Sequence, residues 1–205
     1  MRARIAILVA FLMAVTFTAF AQEKPKTDKA APAAKPGSAA KVAKAMTAAP
    51  ASISKNATIM EASADGKMTE LRPGTNGWMC MLDVDGTPMC LDKEWQGWAD
   101  AWINKKDPQV KSVGVAYMLR GDTGASNTDP HAKKATADNH WVVSGPHMMV
   151  IVPDPAQLDA LPTDPWNGGP WVMWKGTKYA HIMLPTAPMP KPAAAKAAPK
   201  AAEKK

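Results

Sequence analysis

Hydrophobic positions fall into three regimes along this chain. Residues 5–17 are almost wholly apolar, residues 22–51 and 188–205 carry almost no large apolar side chains, and the region between them breaks into short runs. There, 57–63 and 67–71 are strand-like and flank Asp65-Gly66, a pair suited to a tight hairpin turn. Residues 77–82 form a third strand, with Trp78 and Cys80 on one face and Met79 and Met81 on the other, because side chains alternate along a strand. Asp92 is placed to cap a helix over 93–105, in which Trp95, Trp98, Ala99, Trp102 and Ile103 recur at helical spacing. Asp107-Pro108 stops it. Residues 113–119, 141–144 and 147–152 read as strands, with a long polar loop over 121–139 and Gly145-Pro146 between the last two. Asp154-Pro155 starts a short helix through 161, 162–170 is irregular, and 171–174 pairs with 178–184 around Lys175-Gly176-Thr177. The pattern predicts an α+β fold: a mainly antiparallel sheet of short strands with one Trp-rich amphipathic helix packed on it.

The first regime is an address. Arg2 and Arg4 precede the apolar run, and Ala19-Phe20-Ala21 supplies the small-x-small pattern read by signal peptidase. Residues 1–21 therefore read as a secretory signal peptide cleaved before Gln22, and the run is short of the ~20 residues a membrane-spanning helix needs. No Cys follows the cleavage site to carry a lipid, so the mature chain is expected to be periplasmic or secreted, without a transmembrane segment.

Charge changes the picture of the tails and not of the domain. The chain is +7 overall, yet residues 52–187 hold 12 Lys/Arg against 15 Asp/Glu. The positive charge sits in 22–51 and 188–205, both built from Ala, Lys and Pro, which cannot offset their ordering entropy by burial. Both are expected to be disordered, one as a linker and one as a basic tail, suited at most to weak adhesion to anionic surfaces. A domain that recognises a specific nucleic acid would carry its basic patch on the folded surface, so that class is set aside. All eight Trp lie within 52–187, read as a single folded domain.

Cys80 and Cys90 are the only cysteines, and in an oxidising compartment they are expected to form a disulfide that closes a hairpin over Asp85-Gly86.

Four segments resemble a group of uncharacterised exported bacterial proteins: Asn76-Gly77-Trp78-Met79-Cys80, Pro88-Met89-Cys90-Leu91-Asp92, His147-Met148-Met149-Val150-Ile151-Val152-Pro153-Asp154-Pro155, and Gly168 through Thr177. The resemblance spans roughly 57–185. It implies an exported bacterial protein and brings no activity, cofactor or catalytic residue with it.

Candidate chemistry is sparse. Met79, Cys80, Met81, Met89 and Cys90, with His147, Met148 and Met149, are soft ligands of the kind that select Cu(I), although methionine beside aromatics is also an ordinary core filler. His147 and His181 both sit in apolar strands and would form a metal or acid–base site if those strands paired. Ser144 lies three residues before His147, but no Gly-x-Ser-x-Gly elbow is present. Asp83-Val84-Asp85-Gly86 begins like a calcium loop without its remaining acids, and Arg120-Gly121-Asp122 spells an adhesion tripeptide. Trp166, Trp171 and Trp174 give the best argument for binding. They border an irregular Gly-rich loop, and Trp171 and Trp174 are expected on opposite faces of one strand, leaving at least one exposed as a platform for a sugar ring or apolar ligand. The first reading is thus a non-enzymatic module binding a small ligand or cell-envelope component. The second is a copper-type metal protein or an enzyme using His147 and His181, and the third is a structural envelope protein without a ligand.

Overall fold

Two short helices, α1 (Ala39–Met46) and α2 (Ala51–Ser54), lead into the first hairpin of the sheet. The structure, a computed structural model, describes residues 37–190. The expected signal peptide, its cleavage site, the start of the linker and most of the basic tail lie outside the described residues. Strands β1 (Thr58–Ala62) and β2 (Met68–Arg72) pair antiparallel around Asp65-Gly66, closed by the Ser63 amide donating to the Lys67 carbonyl at 3.0 Å. β3 (Met79–Leu82) lies on the other side of β1 and runs parallel to it. Residues 73–78 must therefore cross the start of β1, and Gly74 makes the crossing possible. A Cβ at that position would stand 2.1 Å from the Thr58 amide nitrogen.

From β3 onward the neighbours are antiparallel. β4 (Pro88–Leu91) returns along β3, and helix α3 (Lys93–Ile103) makes an excursion before β5 (Gly114–Met118) comes back beside β4. Asp92 holds both ends of that excursion. One carboxylate oxygen caps α3 by accepting from the Trp95 amide at 2.9 Å, and the other accepts from the Val115 amide at 2.5 Å. A long loop carries the small pair β6 (Ala125–Ser126) and β7 (Trp141–Val142). Strands β8 (His147–Ile151), β9 (Trp171–Met173) and β10 (His181–Pro185) complete a sheet of eight in the order β2-β1-β3-β4-β5-β8-β10-β9. The architecture is mixed α+β, dominated by this largely antiparallel sheet.

The pleat divides the interior into two main cores. On one face α3 buries Trp95, Trp98 and Ala101, and the core there contains Leu91, Ala116, Met149, Ile151, Trp171 and Met183. On the other face α1 covers the half of the sheet that holds Ile59, Leu71, Leu82 and the cysteines. Cys80 and Cys90 stand directly opposite each other, 3.9 Å apart at Cα, and are bridged and fully buried. Loop closure of this size stabilises by about 3 kcal/mol in the chain-entropy picture.

The position of α1 corrects the expectation that disordered linker continues to residue 51. Ala45 and Ala48 are fully buried and Val42 nearly so, and the Ala48 carbonyl accepts from the Leu119 amide at 3.0 Å. Alanine and lysine favour helix as readily as they populate linkers. The small alanine face lets α1 lie close against the bridged cysteines, so the segment finds burial that its own composition does not advertise.

Replacing Gly74 by Ala is expected to cost about 2–3 kcal/mol, because the added carbon meets backbone that cannot move without shifting β1. Gly97→Ala, at an open position within α3, is expected to stabilise by about 0.5–1 kcal/mol. Urea unfolding midpoints of the two variants, at unchanged slope, check the pair.

Candidate functional site

Of the three tryptophans around the Gly-rich loop, two are buried and one is exposed. Trp98 stacks on Trp174 with ring centroids 6.0 Å apart and planes 2° apart, and Trp102 lies 5.9 Å from the same ring. Trp174 is 8% exposed and Trp171 fully buried, so neither is a platform. The expectation of opposite faces fails because β9 ends at Met173 and Trp174 takes φ +57°, which brings its indole into the layer that also holds Trp171. Their polar atoms are occupied as well. Trp174 Nε1 donates to the Ser126 carbonyl at 2.7 Å and Trp171 Nε1 to Asn127 Oδ1 at 3.2 Å.

Trp166 is different. It is 41% exposed, its amide donates to Asp164 Oδ1, and its Nε1 donates to the Pro190 carbonyl at 2.9 Å. The indole stands as a wall between two hollows. The larger, about 590 Å³, runs from Trp166 to Trp141 and is bordered by Thr128, His140, Asp164 and Lys175. The second, about 540 Å³, lies between the Gly168-Gly169 loop and residues 185–189.

Local structure explains why the larger cleft exists. Asn127, almost fully buried, ties its floor together: Nδ2 donates to the Thr163 carbonyl at 2.9 Å, Oδ1 accepts from Trp171, and its backbone carbonyl accepts from the Trp174 amide. Gly124 leaves room for the Trp141 indole, since a Cβ there would lie 2.1 Å from Trp141 Nε1. Lys175 reaches away to the Asp159 and Leu161 carbonyls. The cleft thus presents two indoles with a hydroxyl, an imidazole and a carboxylate around them. Trp141, His140 and Asn127 carry no sequence signal that marks them for this role, because their neighbours in space come from β9 and the 163–166 loop.

The two strand histidines are both buried but are not brought together. Pro185 opposes His147 in the β8–β10 register, so His181 lies four positions further along the same face. That spacing is about 13 Å along the strands. His181 is enclosed edge-on by Trp95, Trp98 and Trp174, at centroid distances of 5.4, 5.5 and 4.9 Å. Its Nδ1 donates to the Tyr179 carbonyl at 3.0 Å. Burial pushes its pKa down to about 4; the Tyr179 contact opposes the shift and the charge of His147 adds to it. His147 donates from Nδ1 to the Gly145 carbonyl at 2.7 Å, and its Nε2 is buried without a partner among the described residues.

Other sequence candidates resolve into structure. The Asp122 carboxylate turns inward and accepts from the Gly124 and Ser144 amides, so the Arg120-Gly121-Asp122 tripeptide is not displayed. Ser144 Oγ is buried and makes no hydrogen bond to His147, so the nucleophile–base contact of a hydrolytic site is not formed. Asp83 and Asp85 accept from amides of their own turn, and Asp85 also from the Thr123 hydroxyl. Among the described residues no three His, Cys, Asp or Glu side chains group as a metal site, and no helix is long and apolar enough to cross a membrane. No protein-family model matches the chain, and no curated protein or solved structure is significantly similar to it.

Acid is expected to weaken the fold through His181. Its folded pKa lies below the ordinary value of 6.5, so the unfolded chain binds the extra proton between about pH 6.5 and pH 4. Stability from this group is complete above pH 6.5 and falls by roughly 3 kcal/mol as pH drops to 4. Chemical denaturation across that range checks it: His181→Gln, at whatever absolute stability, is expected to show a flatter pH dependence by that amount.

Proposed function

We propose that this chain is an exported, non-enzymatic binding module that holds a small, sugar-containing ligand of the cell envelope between Trp141 and Trp166. The observation that carries the reading is that the exposed Trp166 indole and Trp141 both line a cleft of about 590 Å³. That volume falls in the range of small-ligand sites, roughly 300–1,000 Å³. Indole faces cover the apolar C–H faces of a pyranose, while Thr128, His140 and Asp164 on the rim meet its hydroxyls. Export rests on the basic, apolar and small-residue regions of 1–21 and on the resemblance to exported bacterial proteins. The Ala/Lys/Pro composition of the chain ends supports a tethered arrangement in which the domain samples envelope material.

Titrating the full chain with soluble fragments of peptidoglycan and with chitin oligomers, read by tryptophan fluorescence and calorimetry, tests the reading. Binding of one of them is expected to fall at least tenfold in Trp166→Ala and in Trp141→Ala, with unfolding midpoints kept near that of the parent. If neither class of glycan binds, or if both variants bind as the parent does, the cleft is not a glycan site.

A further inference from the structure

One histidine atom is out of place in this interior. His147 is fully buried, yet its Nε2 has no hydrogen-bond partner among the described residues, and a buried unpaired nitrogen is costly unless something meets it. Its neighbour on the β10 side is Pro185, and on the β5 side it meets a thioether. Met118 stands directly opposite His147 across β5 and β8. Continued one residue past the Cys90–Tyr117 pair, the β4–β5 register sets Met89 beside Met118, and Met89 in turn opposes Met81. Met81 opposes Met60. Four thioethers and one imidazole therefore form a single row across five adjacent strands, on the face away from the buried disulfide. The row runs from half-buried Met60, Met81 and Met89 to nearly buried Met118 and fully buried His147, so it leads inward from solvent.

We infer that the inner end of this row, Met89, Met118 and His147, is a binding site for a soft monovalent metal ion of the Cu(I) class. Directly opposed residues hold their Cβ atoms about 4.5–5.5 Å apart, and the three rotatable bonds of methionine let neighbouring sulfurs converge on a shared ion. Thioether and imidazole donors together select Cu(I) and its analogue Ag(I) over harder cations. The His147 tautomer is already set for the task. Nδ1 donates to the Gly145 carbonyl, which leaves the lone pair on Nε2, the second-shell arrangement that orients a ligating imidazole. The cysteines take no part, because they are bridged and project from the opposite face. The site is separate from the indole cleft and stands whether or not that cleft binds a glycan.

Ag(I) is the direct probe, since it needs no reductant and leaves Cys80–Cys90 intact. With the full chain labelled at methionine methyl carbons and histidine nitrogens, one equivalent is expected to shift the Met89 and Met118 methyls and His147 Nε2 while exposed Met68 stays in place. Cu(I) affinity, measured by competition with a chromogenic chelator, is expected to drop at least tenfold in Met89→Leu/Met118→Leu, a volume-conserving pair whose circular dichroism and melting temperature report on the fold. Should that pair fail to fold, Met118→Leu alone and the methyl shifts of the parent decide. The inference is overturned if Ag(I) leaves these three resonances unmoved, or if a folded Leu variant binds Cu(I) as tightly as the parent.

Discussion

The packing of α3 against the β8–β10–β9 end of the sheet is the constraint on which the rest of the molecule depends. Two indoles of one helix, Trp98 and Trp102, meet a third, Trp174, that has left its strand through a left-handed backbone conformation. A non-glycine residue at positive φ is held there only where surrounding contacts outweigh its cost. Here the compensation is visible in the stack with Trp98 and Trp102 and in the bond from Trp174 Nε1 to Ser126. That bond fixes β6, and through Asn127 it fixes the 163–166 loop as well. The exposed Trp166 and the cleft beside it are thus consequences of how the buried tryptophans are satisfied.

The same dependence explains which features were legible in the sequence. The hairpin at Asp65-Gly66, the Asp92 cap and the Cys80–Cys90 pairing are short-range, and each rests on residue types whose local chemistry leaves few alternatives. Trp171 and Trp174 were misplaced for the converse reason. Strand alternation applies only while the strand continues, and nothing local announces that it ends at Met173, because the compensating contacts come from α3 and β6. Helix α1 escaped notice because an Ala/Lys/Pro composition describes a chain without a partner, and its partner is the surface above the disulfide. The cleft was half legible: Trp166 stands out in the sequence beside the Gly-rich loop, but exposure was expected of Trp171 or Trp174, and Trp141, which also lines the cleft, is set by tertiary structure.

His147 and His181 make the sharpest comparison within one core face. Both are buried, and both satisfy Nδ1 with a backbone carbonyl, at 2.7 and 3.0 Å. The ring of His181 is then surrounded by three indole edges and faces, an environment that accounts for its depth through aromatic contact alone. Among the described residues no ring contact is made by His147, whose directly opposed neighbours are Met118 on β5 and Pro185 on β10. A leucine or phenylalanine would fill the same volume without the desolvation cost of a ring nitrogen, so packing does not explain an imidazole there. Methionine at four successive register positions poses the same question, since leucine defines a core more sharply. A soft ion at the inner end of the row answers both at once, because it pairs the orphaned nitrogen and gives the thioethers a role that branched aliphatic side chains lack.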